Sequence, residues 1–205
     1  MEWNYFIRTF LSTNLQLSLA VCLQLYNPVV NDFYSLASVG LAVICLVYII
    51  GFTWVIHRWL GMENRVLKKE ETKKKIGELY EELRPMGKKY NLHLCYRRYV
   101  MVYLLVFFQQ VPHIQALGQH AYSVFLIYYL KKKRGFKSRK STILGIFTEV
   151  MMSINYLIVG MLIFTTENKD VGAILGWSII AVNLIAFLAH LICMWIDMCK
   201  QYKEL

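Results

Sequence analysis

The chain has 205 residues, of which 57% are hydrophobic, 15% aromatic and only 18% charged, and its formal net charge is +10. A soluble domain usually carries about 25% charged residues, so this composition excludes an ordinary soluble domain and indicates a polytopic membrane protein. The positive charge does not indicate nucleic-acid binding, because it is concentrated in two segments that flank apolar runs, as in loops on the inner side of a membrane.

The first two apolar runs predict membrane-spanning helices. Residues 4–26 contain Arg8 and several amide side chains. Polar side chains inside a span favour a face that contacts protein instead of lipid. Residues 34–56 contain no charged residue. At about 1.5 Å per residue, this run is long enough to cross a hydrocarbon core of about 30 Å.

The stretch after the second span is strongly charged and is predicted to lie outside the membrane. Within it, residues 63–85 predict one helix with an apolar stripe, which ends at Pro85. A helix that lies on lipid would carry a basic polar face. The mixed charge of this helix instead favours a solvated helix that docks against a partner.

Two shorter spans are predicted at residues 96–111 and 114–130, with a tight turn between them. Arg97 and Arg98, at the start of the first, are expected to reach the membrane surface by snorkelling. The last two apolar runs, residues 142–165 and 171–196, predict the final pair of spans.

The predicted fold class is therefore all-α, an integral membrane bundle of about six transmembrane helices plus one charged helix on the inner side. Nineteen of the 23 Lys and Arg residues lie in residues 57–98 and 131–140, which a six-span topology places on one side. This asymmetry predicts that both termini lie on the inner side, cytoplasmic or matrix.

The basic residues are the predicted contacts for acidic protein neighbours or anionic phospholipids, with cardiolipin as one candidate. Each Lys or Arg close to an anionic surface contributes about 1 kcal/mol of binding free energy. The predicted lipid- or partner-binding residues are Arg97, Arg98, Lys131, Lys132, Lys133, Arg134, Lys137, Arg139 and Lys140.

Three polar residues inside predicted spans are candidate functional groups: Arg8, Glu149 and His190. A carboxylate at mid-membrane is costly, by about 2.5–3.5 kcal/mol on insertion scales. Glu149 is therefore either a cation or proton site, or a carboxylate paired with a nearby base such as Arg139 or Lys140. Snorkelling is the favoured interpretation of Arg8.

No catalytic motif is recognisable, and no cofactor, metal or small-molecule substrate is predicted. His113 and His120 lie seven residues apart, but their predicted depths do not suit a shared haem. The five cysteines lack a CxxC spacing and are expected to be small buried residues without disulfides.

The order of elements resembles the C-terminal multipass membrane module of large protist transient-receptor-potential-like (TRP-like) transmembrane proteins, expected here as a stand-alone short chain. The resemblance implies a cation-channel subunit. The family pattern has acidic residues where this chain has Ser12 and Gln16, and of that acidic set only Glu149 remains. The segments that carry the resemblance are WNYFIRTFLSTNLQLSLAVCLQLYNP (3–28), KIGELYEELRP (75–85), RRYVMVYLLVFFQQVPHIQ (97–115), RGFKSRKSTILGIFTEV (134–150) and FTTENKDVGAILGWSIIAVNLI (164–185).

These observations predict a non-catalytic multipass protein, most simply a structural or accessory subunit of a large membrane complex. A respiratory or ATP-synthase assembly of the mitochondrial inner membrane is the first expectation. Other membrane-protein subunits and anionic phospholipids are the expected partners, and nucleic acid is not. The alternative is a TRP-like cation-channel subunit or channel-derived module, in the plasma membrane or another membrane. TENKD, residues 166–170, is too short to form a re-entrant selectivity loop between the last spans.

Overall fold

The computed structural model describes residues 2–28, 30–67, 69–133, 135–165 and 169–204, which are almost entirely helical. The predicted all-α class is confirmed, since the described chain adds to its helices only turns and one isolated antiparallel bridge between Leu83 and Phe136. The helices are α1 (Glu2–Tyr26), α2 (Phe33–Gly61), α3 (Asn64–Leu67), α4 (Glu70–Ile76), α5 (Tyr90–Phe107), α6 (Pro112–Lys133), α7 (Arg139–Phe164) and α8 (Lys169–Glu204).

Side-chain caps fix where two of the long helices begin. The carboxylate of Asp32 accepts a hydrogen bond from the Ser35 backbone N–H at 2.9 Å, and the Ser35 hydroxyl accepts one from the Asp32 N–H at 3.1 Å. This reciprocal capping box satisfies donors that the first turn of α2 leaves unpaired. Ser138 caps α7 in the simpler way, by accepting from the Ser141 N–H at 3.5 Å.

Four helices are long and apolar enough to cross a membrane: α1, α2, α7 and α8. They coincide with four of the six predicted spans. The other two predicted spans form α5 and α6, which are helices of suitable length but carry more polar residues. The six-span count is therefore not confirmed by length and composition alone.

Neighbouring helices follow one another across the bundle, from α2 through α1, α5, α6 and α7 to α8. α1 runs parallel to α5, because Asn14 contacts Tyr99 near the middle of both helices and Tyr26 contacts Phe107 at their C-terminal ends. α6 and α7 run antiparallel and stay in contact along their length, with a ring contact between His113 and Phe164 at one end.

The charged segment, which we define as residues 62–89, is not the single helix that residues 63–85 predict. It consists of α3, α4, a 3-10 turn at Gly77–Leu79 and further turns. The prediction was wrong because the apolar residues of this segment do not form a stripe on a free helix. Leu67, Ile76 and Leu79 are buried in one cluster with side chains from α1, α2 and α5. The chain must bend to bring them there, and the Tyr80 hydroxyl holds the bend by donating to the Leu67 carbonyl at 2.5 Å.

An exposed ion pair also links two parts of the charged segment. Lys73 Nζ lies 2.9 Å from Glu81 Oε1, and both side chains are about half exposed. The hydrogen bond from the Lys73 ammonium lowers the pKa of the Glu81 carboxyl, and the same bond raises the pKa of Lys73.

The basic loop, residues 131–140, docks on the charged segment. The Arg84 N–H donates to the Gly135 carbonyl, and the Lys137 N–H donates to the Glu82 carbonyl, each at 2.9 Å. Beside these bonds the two backbones approach closely, since a Cβ atom on Gly87 would lie 2.5 Å from the Gly135 oxygen. The two most basic parts of the sequence therefore lie at the same end of the bundle, called the basic end below.

Candidate functional site

Glu149, the predicted intramembrane carboxylate, is buried between helices and paired with an arginine. Its side chain on α7 is 3% exposed, and Arg97 on α5 places Nη1 at 2.8 Å from Oε1 and 2.7 Å from Oε2. Both carboxylate oxygens thus contact one guanidinium, which compensates the charge that burial would otherwise make costly. This arrangement leaves Glu149 positioned to join α5 to α7.

The base that pairs with Glu149 is not one of the two that the sequence suggested. Arg139 and Lys140 lie in the first turn of α7, about 14 Å along the helix axis from Glu149. Arg139 is exposed. Lys140 instead pairs with Asp197 of α8, with Nζ at 2.6 Å from Oδ1, and also donates to the Cys193 carbonyl at 3.1 Å.

Arg97 and Arg98 both use their guanidinium groups inside the chain. Arg97 contacts α7, whereas Arg98 Nη1 donates to the Leu11 carbonyl of α1. Consecutive residues on a helix point about 100° apart, so two adjacent arginines can contact opposite neighbours of α5. The snorkelling expected of both residues is replaced by these internal contacts.

The other predicted lipid- or partner-binding residues lie on the basic loop. The side chains of Lys131, Lys137 and Arg139 are exposed, and that of Lys133 is partly buried. Lys132 is exposed and donates to the Tyr128 hydroxyl at 2.8 Å. Arg134 lies outside the described residues. The loop thus keeps several cationic groups at the surface.

Arg8 and His190 do not join Glu149 in a single site. Arg8 is on the exposed side of α1. His190 lies at the contact between α7 and α8, with Nε2 3.3 Å from the Thr148 hydroxyl and Nδ1 3.0 Å from the Ala186 carbonyl. In the described parts of the chain, no group of three or more His, Cys, Asp or Glu residues is placed to hold a metal ion.

A ladder of polar contacts between α7 and α8 was not predicted. Asn155 Nδ2 donates to Asn183 Oδ1 at 3.1 Å, and the Thr148–His190 and Lys140–Asp197 contacts follow toward the basic end. The α8 members of this ladder, Asn183, His190 and Asp197, recur every seven residues, which keeps them on one side of a helix. That seven-residue spacing is the signal in the sequence that would have revealed the ladder.

A second unpredicted network joins α1, α2 and α5. Asn14 Nδ2 lies 3.1 Å from the Tyr99 hydroxyl, which lies 2.5 Å from the Thr53 hydroxyl, and Thr53 donates to the Ile49 carbonyl at 2.7 Å. Each polar group therefore has a partner in an otherwise apolar interior, as buried polar groups require. Of the polar residues in the first span, Asn14 and Ser18 lie on this protein-facing side of α1, whereas Arg8 and Gln16 are exposed.

The chain matches no family model, no curated protein and no solved structure. The resemblance to TRP-like membrane modules therefore stays a prediction, and functional reasoning rests on the geometry of the chain.

Proposed function

We propose that this protein is a non-catalytic structural subunit of a larger membrane-protein assembly. The observation that carries the proposal is the position of α8. This helix packs mainly against α7, and none of its most apolar 18-residue stretch is buried within the chain. An assembly in which α8 contacts a neighbouring subunit would cover this surface.

The distribution of polar groups on α8 supports this role. Its ladder residues Asn183, His190 and Asp197 contact α7, while Trp177, Leu184 and other large apolar residues are more than half exposed elsewhere on the helix. Polar contacts fix helix pairs within a membrane, and apolar packing can then recruit further helices. One side of α8 thus fixes its packing against α7, and a broad apolar surface of the helix remains available to a partner.

The interior of the bundle also favours a structural role. Glu149 is paired with Arg97, and Arg98 contacts a backbone carbonyl. Each contact joins helices that are distant in sequence. These groups hold the fold together and are therefore used within the chain.

We also propose that α5 and α6 cross the membrane beside the four apolar helices, giving six spans. α6 accompanies α7 from the His113–Phe164 contact to the Leu130–Gly145 approach near the basic end. If α7 spans the membrane, α6 passes through the same depths. Two of the polar side chains that reduce its hydropathy, Gln119 and Ser123, are buried and so do not meet lipid.

The membrane and the orientation belong to the same proposal. The basic end faces the cytoplasm or the matrix, because positively charged loops are retained on that side. A respiratory or ATP-synthase assembly of the mitochondrial inner membrane is the setting that we propose first, on the basis of the basic loops between the apolar helices.

Site-specific photo-crosslinking in native membranes tests the structural role. A photoreactive residue replaces Trp177 or Leu184 on α8, or Leu41 on α2 as a matched control of similar exposure. We expect the α8 positions to form adducts with another polypeptide, and the α2 position to react mainly with lipid. Lipid adducts alone at both α8 positions would contradict the proposal.

The alternative function is a cation-channel subunit. Glu149 was the acidic residue retained from the channel-like pattern, and its pairing with Arg97 leaves it poorly suited to bind a cation. Reconstitution into vesicles with a cation-sensitive dye separates the two functions. Cation flux above that of protein-free vesicles would favour the channel, and no flux is expected from a structural subunit.

A further inference from the structure

A groove on the surface of the bundle runs between α1, α2 and α5. It encloses about 540 Å³, and apolar side chains such as Val21, Ile49, Ile50 and Val102 line most of it. Its walls also include Trp54 and His57 of α2 and Tyr96 of α5. Two of the three helices that line it, α1 and α2, are apolar enough to span a membrane.

The length of the groove matches one leaflet of a bilayer. On α2 the lining residues extend from Leu46 to His57, which is about 16 Å along a helix axis. Half of a hydrocarbon core is about 15 Å. The groove therefore covers the depth of one acyl chain, from the middle of the membrane to the basic end.

Two hydroxyl groups in the wall of the groove are already paired with each other at mid-depth. The hydroxyls of Thr53 and Tyr99 both line the groove, but they lie 2.5 Å apart, and Tyr99 also accepts from Asn14. A hydroxyl-bearing ligand would have to compete with this network. A plain hydrocarbon chain would not, so this part of the wall suits an acyl chain.

A cation lies at the basic end of the groove. The Arg58 guanidinium stacks over the Trp54 ring, 5.5 Å from its centroid, and Trp54 lines the groove. Stacking on an aromatic face fixes a guanidinium while leaving its edge N–H groups able to donate to a phosphate. His57, at the same level, is also exposed. The end of the groove thus places a cationic donor where a phospholipid headgroup lies.

We propose that this groove binds one acyl chain of an anionic phospholipid, with the lipid phosphate held at Arg58. The site differs from the predicted basic-loop residues, and it uses neither Arg97 nor Arg98. It does not depend on whether the chain belongs to a larger assembly, because its components all lie within one copy of the chain.

Native mass spectrometry of the purified full chain tests the proposal. The protein is titrated in detergent with phosphatidylglycerol or with phosphatidylcholine of identical acyl chains. We expect the protein to bind and retain one phosphatidylglycerol molecule more strongly than one phosphatidylcholine molecule. Arg58→Ala should weaken that binding about fivefold, the effect of removing one cation near an anionic headgroup. The matched control is Arg65→Ala, which removes an exposed cation from α3, outside the groove.

A second variant tests the groove itself. Cys22→Phe places a ring in the groove, whereas Ile44→Phe adds a ring to an exposed part of α2 outside it. Cys22→Phe should abolish the first bound lipid and Ile44→Phe should not, with helical content by circular dichroism unchanged in both. Equal retention of phosphatidylcholine, or unchanged phosphatidylglycerol binding in both Arg58→Ala and Cys22→Phe, would overturn the proposal.

Discussion

Arg97 and Arg98 are neighbours in the sequence, but the fold gives them different functions. One pairs with a buried carboxylate on α7, and the other donates to a carbonyl on α1. The sequence indicated that Glu149 needs a partner, because an unpaired carboxylate is costly inside a membrane. It could not indicate which one, because Arg97 is 52 positions away and only tertiary packing brings the two together.

Glu149→Gln should strongly destabilise the bundle, because it leaves the Arg97 guanidinium without its counter-charge. Breaking a buried ion pair costs about 3–5 kcal/mol. Replacing both partners, by Arg97→Met with Glu149→Leu, should restore stability to within about 1 kcal/mol or better, since no buried charge then remains. Unfolding titrations in mixed micelles measure these free energies.

The control for that experiment is Lys140→Met, which breaks the more exposed pair with Asp197. The two side chains are 37% and 59% exposed, so the free energy of unfolding should fall by no more than about 1 kcal/mol. An equal loss for Lys140→Met and Glu149→Gln would show that burial does not decide the strength of the Arg97–Glu149 pair.

The Lys73–Glu81 pair predicts a pH dependence outside the membrane. The pKa of the Glu81 carboxyl is lower in the folded state than in the unfolded state. The ion pair therefore stabilises the folded state at a pH above the pKa that Glu81 has when unfolded, and this stabilisation is lost as the pH falls through the pKa that Glu81 has when folded. Carbon-13 NMR of the Glu81 carboxyl should therefore show a titration midpoint below that of a glutamate in an unfolded peptide. Lys73→Gln should raise this midpoint and Lys75→Gln should leave it largely unchanged; a midpoint insensitive to Lys73 would refute the assignment.

At the scale of elements, the sequence predicted helices more reliably than bends. Long apolar runs predict α1, α2, α7 and α8 almost where the structure has them. A hydrophobic run of this length is compatible with few structures other than a membrane-spanning helix. The charged segment was predicted wrongly because its bend depends on burying Leu67, Ile76 and Leu79 against other helices. Helical periodicity within the segment carries no information about those neighbours.

The contact between Gly87 and Gly135 predicts a sensitive position in the docking of the basic loop. Gly87→Ala would place a Cβ atom 2.5 Å from the Gly135 oxygen, so one backbone must move. Such overpacking costs about 1–3 kcal/mol. Hydrogen–deuterium exchange should accelerate at the Arg84 and Lys137 amides, which donate across this junction.

Gly51→Ala is the matched control, since a Cβ atom there meets nothing within 4 Å. It should leave exchange at the Arg84 and Lys137 amides unchanged. If Gly87→Ala also leaves it unchanged, the two loops are not held by this close approach.

The proposed crossing of α5 and α6 is tested by accessibility to a membrane-impermeant thiol reagent. In a background without native cysteines, a cysteine replaces Gln110 in the turn between the helices, or Lys131 at the basic end. Six spans predict that the cysteines at Gln110 and Lys131 are labelled from opposite sides of the membrane. Two reference cysteines identify the sides: one at Asn31 should be labelled together with Gln110, and one at Glu63 together with Lys131. Labelling of Gln110 and Lys131 from the same side would rule out the crossing.

At the scale of the whole molecule, polar contacts between helices differ in character from the exposed surface. Polar contacts that join the helices include the Asn14–Tyr99–Thr53 network inside the bundle and the exposed seven-residue ladder between α7 and α8. The exterior is apolar along α8 and strongly basic at one end. The sequence predicted the apolar last span and the basic loops from composition, whereas the Asn14–Tyr99–Thr53 network required knowledge of which helices are neighbours.

The structural role is tested most directly by the size of the particle that contains the native protein. Native membranes are solubilised in a mild detergent, the protein is isolated through an affinity tag, and its mass and partners are measured by native electrophoresis and mass spectrometry. We predict a particle far heavier than the 24.1 kDa chain, with defined membrane-protein partners that remain through a second purification. Recovery of the chain alone, as a monomer or as copies of itself, would contradict a structural subunit.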